Sequence, residues 1–194
     1  MSETTRTFLA VFPPVTVVER VADALESVRQ AGDGVGWVKS ANVHYTLRFL
    51  GDLESAGVEA ARRAAAQAAR ATSAFRIALG APGIFPDPRR PRVLWLGASA
   101  GAQALTGLAR ALETALQSEG FGRADKPFAP HLTLGRVRNT ADGPKVAARF
   151  LAARFPTDAF EVRELLVVRS TLDPRGALYE PLAAVALGSV PDAP

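Results

Sequence analysis

The chain holds two histidines, and each heads the same four-residue pattern: His44 in HYTLRFLG (residues 44–51) and His131 in HLTLGRV (residues 131–137). Along an extended strand, alternate residues share a face. His44 therefore stands beside Thr46 and His131 beside Thr133, while Leu47 and Leu134 turn the other way. Brought together, two imidazoles could flank one small anion while two hydroxyls donate hydrogen bonds to its oxygens. In-line displacement at a phosphodiester without a metal needs such a set: a base for the attacking oxygen and an acid for the leaving one. Imidazole suits both tasks, because with an ordinary pKa of about 6.5 one ring can be neutral while the other is charged. The hydroxyls would stabilise charge on the non-bridging oxygens. A lone strand histidine is ordinarily a packing or surface residue, but two copies of His-x-Thr-Leu in one chain are poorly explained that way.

The elements around the motifs also repeat. Thr7 to Phe12 reads as a strand stopped by Pro13 and Pro14, followed by a helix with Thr16 and Glu19 at capping-box spacing. Its apolar stripe is Val18, Val21, Leu25 and Val28, ending near Gly32. After the Gly-rich connection 32–36, Val43 to Leu50 is a strand, Ser55 to Ala71 an alanine-rich helix and Phe75 to Leu79 a strand. Gly83 to Arg92, rich in proline and arginine, reads as an extended loop and the best boundary between halves. The order then recurs: strand Val93 to Leu96, helix Gln103 to Glu119, strand His131 to Val137, helix Lys145 to Ala153 and strand Phe160 to Val168. A turn at residues 173–176 and a last strand from Leu178 to Leu187 close the chain. Phe8 lies 36 residues before His44, and Val93 lies 38 before His131. We read one α+β unit duplicated, roughly 7–82 and 92–187, in a single bilobal domain over 1–194. The expected architecture has mainly antiparallel sheets in two lobes, related by a pseudo-two-fold axis around a central cleft, with helices outside.

Composition narrows the chemistry. No cysteine is present, so disulfides, thiolate nucleophiles and cysteine-based metal sites are excluded, and a reducing, cytoplasmic setting is expected. No Asp or Glu sits within either histidine motif, so neither a metal nor a cofactor is expected. Gly32-Asp33-Gly34-Val35-Gly36 lacks the lysine and helix start of a phosphate loop and reads as a flexible connection. No stretch resembles a signal peptide or reaches the length of a membrane helix, so no membrane partner is expected. The net charge of +4, mostly arginine, suits a polyanionic ligand. Strict alternation puts Arg136 on the face opposite His131 unless a bulge at Gly135 re-aims it. Arg48, four after His44, is in phase with its histidine, and Tyr45 falls with Leu47 on the core side.

The paired motifs, with TRTFLAVFPP, RVLWLG, KPFAPHLTLGRV and STLDPRGALYEPL around them, resemble the 2H phosphoesterase superfamily over nearly the whole chain. Within it they resemble the RNA 2',3'-cyclic phosphodiesterases, formerly named 2'-5' RNA ligases. The resemblance implies metal-independent opening of an RNA 2',3'-cyclic phosphate end to a 2'-phosphomonoester. It implies His44 as proton donor, His131 as proton acceptor, and Thr46 and Thr133 as donors to the phosphate oxygens. Arg136, and with it Arg48, would bind substrate. The expected partner is RNA with a cyclic phosphate end, or a related oligonucleotide, bound by a monomer. Alternatives are another cyclic phosphate, a 2'-5' linked oligonucleotide or reversible ligation, and, in a different class, a non-catalytic RNA-binding module.

Overall fold

The computed structural model describes residues 3–139, 141–174 and 176–188. The strands are β1 (Thr5–Val11), β2 (Val35–Trp37), β3 (Tyr45–Leu53), β4 (Phe75–Phe85), β5 (Val93–Ala98), β6 (His131–Val137), β7 (Ala159–Val162), β8 (Glu164–Thr171) and β9 (Leu178–Ala186). The helices are α1 (Val15–Glu26), α2 (Ser55–Arg70), α3 (Ala102–Ser118) and α4 (Gly143–Ala152). Among the described residues the strands form one sheet in the order β7-β4-β5-β6-β3-β1-β8-β9, with β2 beside β6. Every pairing between these strands is antiparallel. The helices lie on one face, where Leu9, Leu47, Leu134 and the stripe Leu105, Leu108, Leu112 and Leu116 build the main core. The opposite face carries only a small cluster of Phe8, Ala10 and Val168 and is left open as a cleft. No described helix is long and apolar enough to cross a membrane.

The duplication is visible about the seam between β3 and β6, joined through the single register pair Tyr45 and Leu132. Outward from it, β3, β1, β8 and β9 on one side answer β6, β5, β4 and β7 on the other. The lobes therefore differ from the sequence halves. β4 belongs to the first half of the chain but pairs with β5, and β8 belongs to the second half but pairs with β1.

This exchange accounts for several departures from the sequence-based expectations. Residues Gly83 to Phe85 are strand rather than loop, because they pair with Val93 to Trp95, so the proline-rich segment is a hairpin within one lobe. Phe160 to Val168 is two strands, not one: β7 pairs with β4, and after Arg163 the chain passes to the other lobe as β8 beside β1. The Gly-rich connection contains β2, held where Asp33 accepts hydrogen bonds from Val35 N at 3.0 Å and Trp37 Nε1 at 3.2 Å. Helix α1 begins at Val15 after Pro14, with no side-chain cap, so Thr16 lies inside the helix and the capping box is not formed. It ends at Glu26, short of Gly32, although Val28 is still buried. Of the turn expected at 173–176, Arg175 lies outside the described residues.

Candidate active site

The seam brings the two motifs face to face. With Tyr45 opposite Leu132 in an antiparallel pair, position 44 falls opposite 133 and position 46 opposite 131. Each histidine thus stands across from the other motif's threonine. Tyr45 and Leu132 are buried towards the helices, as alternation requires, and the Tyr45 hydroxyl donates to the Gly97 carbonyl at 3.5 Å.

Both rings are fixed by the backbone just before them. Nδ1 of His44 lies 2.7 Å from the Asn42 carbonyl, and Nδ1 of His131 lies 2.7 Å from the Ala129 carbonyl. A carbonyl oxygen can only accept, so each Nδ1 carries the hydrogen and each neutral ring keeps its lone pair on Nε2. At His44 that lone pair accepts from the Thr46 hydroxyl at 2.8 Å. The two motifs therefore offer the same nitrogen, with the same tautomer, to the space between them.

Beyond the threonines each strand is bulged at the same place. On β3, Ala10 pairs with Thr46 but Leu9 pairs with Arg48, so Leu47 is the extra residue. On β6, Trp95 pairs with Thr133 but Leu94 pairs with Gly135, so Leu134 is extra. A bulge reverses the phase of alternation. Cross-strand partners share a face, so Arg48 joins buried Leu9 on the helix side instead of staying in phase with His44. There its guanidinium donates to Glu113 Oε2 at 3.0 Å and to the Gly122 carbonyl at 2.7 Å. The same reversal on β6 turns Arg136 into the cleft.

The counterpart of Arg136, five residues after the other histidine, is Phe49, which pairs with Phe8 on the open face. Arg48 is answered by Gly135, where a Cβ would stand 2.8 Å from Val35 Cγ1 and 3.0 Å from Trp37 Cε3. Sequence reasoning passed over a second cation: the Arg6 guanidinium lies over the Phe49 ring, 4.6 Å from its centroid, in the same cleft as Arg136. The equal His-to-Phe49 and His-to-Arg136 spacing was the signal that could have found the site of Phe49. Nothing in the spacing marks Arg6.

His44, Thr46, Thr133, Arg136, Arg6 and Tyr179 line a cleft of about 480 Å³. His131 lines its continuation of about 380 Å³, which shares Thr46 and Phe49 with the first. Around His44 the walls are aromatic, with ring centroids of Phe8 at 4.9 Å, Phe12 at 5.0 Å and Tyr179 at 5.3 Å. This burial, chiefly, pushes the His44 pKa down from 6.5 to about 4; the Asn42 carbonyl opposes the shift, while His131 and Arg136 add to it. Burial also raises the Tyr179 hydroxyl, against the pull of Arg136 and Arg6. His131 instead meets Phe85 edge-on at 5.2 Å and Trp95 at 6.2 Å. Among the described residues no group of three or more His, Cys, Asp or Glu is gathered to hold a metal ion. The cleft gathers imidazoles, hydroxyls and arginines, a donor set for an anion.

Two imidazoles in matched settings on a duplicated antiparallel α+β frame are what the 2H phosphoesterases are named for. Residues 13–174 match the 2'-5' RNA ligase superfamily, and this chain belongs to it. An RNA 2',3'-cyclic phosphodiesterase of Archaeoglobus fulgidus is 34% identical over 181 residues, covering 91% of this chain and 97% of that protein. One of Aquifex aeolicus is 34% identical over 157 residues, covering 78% and 81%. Among solved structures, a Thermus thermophilus protein superposes with a TM-score of 0.79 at 29% identity, covering 95% of this chain and 98% of that one. E. coli LigT complexed with 3'-AMP gives 0.76 at 25% identity, covering 95% and 99%.

Proposed function

We propose that this chain hydrolyses the 2',3'-cyclic phosphate at an RNA 3' end to a 2'-phosphomonoester by two-histidine acid/base chemistry, without a metal. The observation that carries this reading is the matched pair of imidazoles, each with Nδ1 tied to its own backbone and Nε2 left for a proton. The name shared by the relatives supplies the substrate class. His131 Nε2 takes a proton from water as its oxygen bonds to phosphorus. The P–O3' bond breaks in line, and His44 Nε2–H gives its proton to the departing O3'. Thr46 and Thr133 donate to the non-bridging oxygens, and Arg136 and Arg6 balance their charge. With His44 held neutral in the free cleft, its proton is taken up as the phosphate anion arrives and supplies the countercharge that burial removed.

One chain supplies both histidines, so a monomer suffices, and a cysteine-free chain suits the cytoplasm. Ligation to a 2'-5' linkage is the same displacement with a 5'-hydroxyl in place of water and the proton roles unchanged; cleaving that linkage runs it backwards, with the two roles exchanged. The test is the product of a defined oligonucleotide bearing a cyclic phosphate, incubated in EDTA and examined by phosphorus NMR. A 2'-phosphate is expected. A 3'-phosphate would make O2' the leaving atom and overturn the assignment, and loss of turnover in EDTA would overturn the metal-free mechanism. Salt-dependent binding with no turnover would leave only an RNA-binding module.

A further inference from the structure

The cleft continues beyond the histidines in two directions, one along the open face and the other round to the helix side, and charge separates them. Past Arg6 the groove runs over Glu3, Asp52 and Arg169, and Arg169 is itself paired with Glu180 at 3.2 Å. Past His131 it runs along Asp125, Lys126 and Phe128 into a further hollow of about 500 Å³ on α3, whose rim carries Arg110 and Arg123. Arg48 and Glu113 neutralise each other in that wall at 3.0 Å. Arg110, Arg123 and Lys126 are exposed and form no ion pair with a carboxylate among the described residues. The floor beneath them is apolar, built by Leu47, Ala109 and Phe128.

Three unpaired cations along an apolar groove that opens into the cleft fit a single nucleic-acid strand: cations meet successive phosphates, and an aromatic ring offers a face to a base. We propose that this groove over α3 and residues 123–128 binds the RNA chain upstream of the reacting end, with Arg110, Arg123 and Lys126 as phosphate contacts. This rests on the proposed function for the identity of the strand. The groove sets affinity for chain length and leaves the chemistry at the histidines unchanged.

The test compares the wild-type protein with Arg110→Glu/Arg123→Glu, both changes at exposed positions, and with the milder Arg110→Ala/Arg123→Ala. A fluorescent ten-nucleotide RNA ending in an ordinary 3'-phosphate is bound at several salt concentrations, and turnover of a mononucleoside 2',3'-cyclic phosphate is measured alongside. The charge-reversed protein is expected to bind the decamer about tenfold or more weakly, and the alanine protein less so. Losing two contacts should flatten the slope of log affinity against log salt by about 1.4. Mononucleotide turnover should stay as in the wild type. Equal decamer affinity and equal slope in all three proteins would overturn the groove. Failure of every protein to turn over the mononucleotide would count against the proposed function, while the binding result would still decide the groove.

Discussion

The His44 and His131 halves share their frame and differ in what surrounds it. Both have His-x-Thr at the seam, Nδ1 tied 2.7 Å from a carbonyl two residues earlier, and a bulge at the following leucine. Yet His44 is walled by Phe8, Phe12 and Tyr179, and His131 meets only Phe85 and Trp95. Five residues on, one half has Phe49 and the other Arg136. Duplication thus supplies two nitrogens in matched settings, and the packing around His44 lowers its affinity for a proton. As the proposed proton donor, His44 then depends on the arriving phosphate anion to hold its proton, which ties its charging to substrate binding.

Removing either nitrogen should have the largest effect. His44→Ala and His131→Ala are each expected to lower kcat by about 10³-fold on a cyclic-phosphate oligonucleotide, and the double variant by little more, because the two act as one unit. Full activity in either single variant would dissolve the pairing. Arg136→Ala should cost about 10²-fold in kcat/KM, the scale of losing a charged donor at the reacting group. Its counterpart Phe49→Ala, which only removes the ring under Arg6, should cost about fivefold. Equal losses at these two positions would mean that the halves divide the anion evenly rather than through Arg136.

The residues at the seam were legible because polar side chains repeated at a fixed place in two strands have no packing reason to persist. Tyr45, Leu47 and Leu134 followed from alternation alone and are buried as it requires. Alternation failed one residue later. It placed Arg48 with the histidine and Arg136 away from it, and the bulges at Leu47 and Leu134 reversed the first and, as Gly135 suggested, the second. A bulge is a relation between two strands, so Leu47 gives no sign of one in its own sequence. The exchange of β4 and β8 between lobes was hidden for the same reason: strand partners are chosen by tertiary packing, and a chain read in order suggests halves that fold separately. The aromatic wall of His44 draws on β1, Phe12 and β9, a sequence span that no local pattern connects.

That wall gives the comparison its subtlest test. His44 titrates at about 4 when folded and at 6.5 when exposed, chiefly through burial. Between those limits the unfolded chain binds more protons than the folded one, so protonation favours unfolding. The stability tied to His44 is therefore fully present above pH 6.5 and is lost as pH falls to 4. Because His44 is the proposed proton donor and must be charged to act, the same ionisation should set the alkaline limb of kcat/KM, on which activity falls as pH rises from about 4. Phe12→Ala opens the stacked face of the ring to water, which moves the folded pKa up towards 6.5. The alkaline limb should then move to higher pH while the acid limb stays, and denaturant midpoints measured between about pH 7 and pH 4 should fall less steeply than in the wild type. Trp95→Ala, beside the other histidine at 6.2 Å, should leave the alkaline limb in place. If both variants moved it equally, the aromatic wall would have no part in making the two halves differ.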